Sequence, residues 1–170
     1  MKKLLPFFLL LLIASCKQQQ LKSFNNVIDD NDTIFIMMDS SQVVSYHSQK
    51  LGISIEHPSF LMHQNTDEAD RFEIFMYNDI SFTVSCDSID SLTGYSPGQQ
   101  FMGMGAELLS ATDRYALMTG SDEGVDYYAK IIDDSMRVVT LTLRYSPDHE
   151  DAVLGLKQWI DDYDPLLDKK

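Results

Sequence analysis

Three alternating runs restrict the fold more than any other feature of the chain. Every second residue is apolar in Val125-Asp126-Tyr127-Tyr128-Ala129-Lys130-Ile131 and in Val139-Thr140-Leu141-Thr142-Leu143-Arg144-Tyr145, and Ile80, Phe82, Val84 and Cys86 repeat the pattern upstream. Side chains point to opposite faces along a strand, so a period of two gathers one set on a single sheet face. Strands are predicted over Arg114–Thr119, Gly124–Ile132 and Arg137–Tyr145, joined by the short polar links Gly120–Glu123 and Asp133–Met136. A parallel crossover needs a dozen residues or more, so these neighbours must pair antiparallel. Both faces carry apolar residues, which predicts cover on each.

Two hairpins are predicted upstream. Val43–Tyr46 and Gly52–His57 are joined through Ser48-Gln49-Lys50 and ended by Pro58. Arg71–Tyr77 and Ile80–Asp87 flank Asn78-Asp79, residue types that tolerate the positive φ of a two-residue turn. Ser96-Pro97-Gly98-Gln99 combines an N-cap serine, a first-turn proline and a capping-box glutamine, predicting a helix to about Leu109. Phe101, Met104 or Gly105, and Leu108 would face the sheet, with Gly103 and Gly105 permitting close backbone packing. A second helix is predicted from Ser146-Pro147-Asp148-His149-Glu150, with Val153, Leu156, Ile160 and Tyr163 as its buried stripe, Trp159 as an anchor and Asp164-Pro165 as its stop. The fold class is α+β: an antiparallel sheet of about six to seven strands flanked by helices.

The N-terminus carries an address. Lys2 and Lys3 precede an apolar run, Leu4–Ala14, that is far shorter than the about 20 residues needed to span a bilayer. Ile13-Ala14-Ser15-Cys16 resembles the bacterial lipobox, in which the cysteine is joined to diacylglycerol and the signal is cut just before it. Residues 1–15 are therefore expected to be a lipoprotein signal peptide, and 16–40 the lipidated Cys16 and a polar tether. Ile34–Met38 is either a short strand or the point where the tether docks. Residues 41–170 form a single domain. Cleavage takes 15 residues from the 170, leaving 155, enough for one core. The leader holds two of the 13 basic residues and none of the 26 acids, so the mature net charge is −15. That excludes a nucleic-acid partner and electrostatic attachment to anionic lipid, and leaves acylation to hold the membrane. Lys17 stands where aspartate would favour inner-membrane retention, so the expected location is the outer membrane of a bacterial envelope, facing the periplasm.

Lipidation consumes one of two cysteines, leaving Cys86 without a disulfide partner and, in its alternating run, a buried small hydrophobe. His57, His63, Asp67, Glu68 and Asp70 fall within fourteen residues, the density a zinc site would draw on, but no two histidines are spaced i, i+4 and solvated loop residues are expected. Asp29–Asp32 lacks the glycine and distal glutamate of a calcium loop, and Met102 with Met104 is too small a set for copper. Asp161, Asp162 and Asp164 oppose the dipole at a helix C-terminus, where they would accept a basic group or an ion. No Gly-x-Ser-x-Gly elbow or phosphate-cradling glycine loop is present; Gly120-Ser121-Asp122-Glu123-Gly124 is a hairpin turn. No catalytic residue, metal ligand or cofactor site is expected.

The stretch Tyr46-His47-Ser48-Gln49-Lys50-Leu51-Gly52-Ile53-Ser54-Ile55-Glu56-His57-Pro58-Ser59-Phe60, the mid-chain helix, and the last strand running through Ser146-Pro147 into the terminal helix together resemble the PsbP-like α/β/α sandwich family. The resemblance implies an antiparallel sheet between helices and accessory or binding roles, with no family-wide catalytic residue. The expected function is a non-catalytic binding or assembly module for another envelope protein, one with a basic surface. The alternatives are a metal-dependent hydrolase using His57, His63 and Asp67–Asp70, and an acidic immunity-type protein against a basic toxin.

Overall fold

A computed structural model describes residues 30–88 and 105–167. In chain order the elements are α1 (Asp30–Ser40), β1 (Val43–Ser48), β2 (Ile53–Pro58), β3 (Met62–Gln64), β4 (Phe72–Tyr77), β5 (Ile80–Ser88), β6 (Glu107–Ala111), β7 (Tyr115–Asp122), β8 (Val125–Asp133), β9 (Arg137–Tyr145) and α2 (Leu154–Asp162). Seven strands form one antiparallel sheet in the order β3-β4-β5-β9-β8-β7-β6, and β1-β2 is a separate hairpin. The two upstream hairpins form as predicted, Val44 opposite His57 and Tyr77 opposite Ile80, with Asn78 at φ 50° in the tight turn.

The middle of the sheet is closed by a pairing between strands distant in sequence. Phe82 lies opposite Leu143, Val84 opposite Leu141 and Cys86 opposite Val139, so the alternating rows of β5 and β9 merge into one apolar surface. Ile34 of α1, Ile53 and Ile55 of β2, and Leu156 and Ile160 of α2 close over that surface as the main core. Trp159 anchors α2 as expected, stacked on Tyr163 at 5.0 Å and edge-on to Phe82 at 5.2 Å. Met118, Tyr127, Ala129, Ile131 and Val138 form a smaller cluster on the other face. There Gly120 lies so close to Tyr127 that an added Cβ would sit 2.4 Å from the phenol oxygen.

Three boundaries differ from the sequence expectation. The predicted mid-chain helix does not reach Leu109: Glu107–Ala111 is edge strand β6, with Leu108 opposite Met118, and Gly105 is in a turn at φ 67°. The open edge of β7 supplies backbone partners to this segment, and a ladder outweighs three residues at helical spacing. Its start at Ser96–Gln99, and Met102 and Met104, lie outside the described residues. Ile34–Met38 belongs to a helix rather than a strand, and Ile34, only 2% exposed, seats that helix in the core. Packed structure therefore includes α1, which lies within the stretch read as tether to residue 40. The terminal helix begins at Leu154; Ser146 instead caps a separate 3₁₀ turn, Pro147–His149, accepting from the Asp148 N–H at 3.4 Å. No described helix is long and apolar enough to cross a membrane.

Candidate functional site

The β1–β2 turn and the edge of the main sheet enclose an open, polar cavity of about 600 Å3. Its chemistry centres on Glu73. Strand alternation puts Glu73 in step with Phe75 on the core side of β4, so a carboxylate is carried inward and left 3% exposed. An ion so placed is tolerated only if paired and hydrogen-bonded. The turn supplies two of the partners. Gly52, at φ 66°, allows the chain to reverse, and its N–H donates to the Ser48 carbonyl at 3.0 Å. Ser48, fully buried, accepts from the Leu51 N–H at 3.2 Å and donates its hydroxyl to Glu73 Oε1 at 2.5 Å. Lys50 Nζ stands 3.4 Å from Glu73 Oε2 and also donates to Thr66 Oγ1. The third partner comes from β3, where His63 Nε2 lies 2.9 Å from Oε2. A carboxylate only accepts, so this nitrogen carries the proton. Burial pushes the Glu73 carboxyl up, but the bonds from Ser48 and His63 and the Lys50 and His63 charges outweigh it and hold it below the ordinary range.

Tyr46 roofs this cluster, stacked on His63 at 4.2 Å and edge-on to Phe75 at 5.7 Å, while Gln49, Asn65 and Glu68 present exposed polar groups at the mouth. The order of the bonded groups is serine, carboxylate, histidine. A nucleophilic triad needs histidine between the other two, positioned to take the hydroxyl proton. Here the buried serine donates its hydrogen bond to the acid instead. The cluster ties the hairpin to the sheet and fixes the shape of the cavity wall.

Of the sequence candidates, His63 and Glu68 line this cavity, and the structure distributes the others elsewhere. His57 and His63 both meet Phe75, with ring centroids at 4.2 and 5.2 Å, but His57 is 7% exposed and its Nδ1 donates to the Pro58 carbonyl at 3.0 Å. Burial depresses its pKa despite that bond, and the His63 charge adds to the effect. Asp67 and Asp70 close a turn on each other, the Asp67 N–H donating to Asp70 Oδ2 at 3.0 Å. Among the described residues no three His, Cys, Asp or Glu side chains converge as metal ligands. His47 pairs with Ser54, and His149 lies between Asn31 Oδ1 at 2.6 Å and Asp79 at 3.2 Å, joining α1 to the β4–β5 turn.

The C-terminal end of α2 meets basic groups of this same chain. Lys130, 4% exposed, extends from β8 to donate to the carbonyls of Ile160, Asp161 and Tyr163 at 3.2, 2.6 and 2.9 Å, satisfying the open C-terminus of the helix. Arg114 bonds Asp164 through Nε at 3.1 Å and Nη2 at 2.9 Å, and the Tyr128 hydroxyl donates to Asp161 at 2.5 Å. Cys86 is buried and its thiol is pushed up in pKa by that burial, so it is an inert core residue. Cys16 lies outside the described residues. Sequence reasoning missed Glu73, Ser48, Lys50 and Tyr46. The one local signal was an acid in the inward phase of an otherwise apolar strand face.

No family model matches this chain, and no curated protein does. Among solved structures, it is similar to cyanobacterial PsbP (CyanoP) from Synechocystis sp. PCC 6803, with a TM-score of 0.51 and 18% identity over 71% of this chain and 89% of that one. A Pseudomonas aeruginosa protein of unknown function gives a TM-score of 0.38 and 16% identity, over 73% of this chain and 97% of that one, too distant in shape to carry an argument. Neither description is that of a known enzyme. The two described helices and the β1–β2 hairpin cover one face of the antiparallel sheet, where the resemblance implied helices on both; the helix predicted from Ser96 lies largely outside the described residues. The fold is PsbP-like α+β.

Proposed function

We propose that this protein is a bacterial envelope lipoprotein, anchored through acylated Cys16, that works as a non-catalytic binding or assembly module for another envelope protein. The observation that carries the reading is the state of the Glu73 cluster: its charged groups are engaged with one another and its serine is buried, so the cavity offers shape and exposed polar groups but no activated nucleophile. The lipobox supports the anchor, and Lys17 supports the outer membrane facing the periplasm. The acidic balance, net −13 over the full chain, favours a partner with a basic surface and rapid, salt-sensitive association.

The test is crosslinking in cells followed by affinity capture of the native chain, a Cys16→Ala variant and a Glu68→Lys variant, with the intact mass of the purified native chain read in parallel. The expected result is a lipid on Cys16 and one envelope protein enriched with the native chain alone. Equal recovery with all three forms, or no specific protein with any, would overturn the module reading.

A further inference from the structure

The first helix has two apolar sides, and the core uses only one. Ile34 is buried in the core and Met38, one turn on, packs against it. On the opposite side Asp32, Phe35, Ile36 and Asp39 fall at i, i+3, i+4 and i+7, all exposed, with Phe35 at 47% and Ile36 at 57%. Apolar exposure continues beside it: Val43 is 52% exposed just after the helix, as is Leu154 next to Gly155, where α2 meets Met38. A buried inner side explains why the helix forms but not why its outer side carries phenylalanine and isoleucine.

Chain length puts the bilayer within reach of that side. Only thirteen residues, 17–29, separate Cys16 from α1. Fully extended they reach about 45 Å, and a domain of this size is about 30 to 40 Å across. On an acylated chain α1 is therefore the described element nearest the anchor along the chain, and the bilayer lies within its reach. We infer that the outer side of α1, through Phe35 and Ile36, docks on the surface of the bilayer that holds the lipid anchor. The inference rests on the lipoprotein reading above. Attachment makes docking intramolecular, at an effective concentration in the millimolar range, so two shallowly inserted side chains suffice where the same face on an unanchored protein would not hold. Asp32 and Asp39 at either end set the lipid preference. Carboxylates are compatible with zwitterionic headgroups and repelled by anionic ones, so docking should weaken as anionic lipid is added, the reverse of a polybasic membrane contact.

The experiment uses the full acylated chain with a spin label at Ile36→Cys or, as a control, at exposed Ser110→Cys on β6, reconstituted into phosphatidylcholine–phosphatidylethanolamine vesicles with or without phosphatidylglycerol. Buried Cys86 stays unlabelled. Docking predicts a several-fold rise in the ratio of oxygen to aqueous-nickel accessibility at position 36 on the neutral vesicles, a smaller rise with phosphatidylglycerol, and none at position 110. An acylated chain that floats with the vesicles while its label at 36 stays aqueous overturns docking and leaves the anchor intact. A purified native chain whose mass shows no lipid overturns both. Shielding of position 36 in native membranes but not in protein-free vesicles also overturns docking, and assigns the face to a protein.

Discussion

Glu73 is the residue at which the fold is most sensitive to a small chemical change. Its carboxylate is 3% exposed and accepts from Ser48, His63 and Lys50. Glu73→Ala removes the acceptor for all three, and the consequences differ by burial. Ser48 is fully buried and its hydroxyl loses its partner, at a cost of about 1–3 kcal/mol. Lys50 and His63 keep side-chain exposures of 17% and 25%, so both regain water and cost less than a fully buried orphan would. Loss of the side-chain methylenes adds about 1 kcal/mol, for a total of about 3 kcal/mol. Glu73→Gln keeps the shape and an oxygen for Ser48 but turns an amide N–H toward the His63 N–H, costing about 1–2 kcal/mol. Urea unfolding at pH 7 should rank wild type, Gln and Ala in that order with unchanged m values. The sign with pH is also determined. The folded carboxyl lies below its unfolded value of about 4.3, so its contribution is complete above that pH and disappears as the pH falls through the folded value. The gap between wild type and Glu73→Gln should therefore be constant from pH 7 to 5 and shrink below about pH 4. A Glu73→Gln protein as stable as wild type at pH 7, or a gap that persists undiminished to pH 3, would refute this account.

Gly120→Ala would place a Cβ 2.4 Å from the Tyr127 hydroxyl and 2.7 Å from Cζ, so it should destabilise by about 1–3 kcal/mol in urea, and Tyr127→Phe should relieve only part of that because the ring itself is too close. Alkaline titration should reveal Tyr163, whose hydroxyl is pushed up to about 12 mainly by burial. A raised folded value means stability that is complete below the unfolded value near 10 and is lost between pH 10 and 12, on the order of 2–3 kcal/mol, so Tyr163→Phe should flatten that part of the pH–stability curve.

Strand alternation and turn chemistry are local, and a local signal was enough for much of this fold. The runs at Ile80–Cys86, Val125–Ile131 and Val139–Tyr145, the Asn78-Asp79 turn and the stripe of Leu156 and Ile160 specified strands, pairing sense and the buried face of α2 directly in the chain. The segment Glu107–Ala111 was illegible because its state depends on the edge of β7 rather than on its own spacing. Ile34–Met38 left strand and docking point both open; the segment is helical, and the core contact of Ile34 is the docking point. The β5–β9 pairing joins Phe82 to Leu143 across most of the domain, a match among several apolar strands that alternation permits but does not select. Glu73 is the sharpest case. An acid in step with Phe75 could be seen in the sequence, but Ser48 and Lys50 arrive from one hairpin and His63 from an edge strand. Period and propensity are properties of neighbours along the chain. Desolvation of a carboxylate and its compensation are properties of neighbours in space, so only the assembled sheet decided that these four residues share a site.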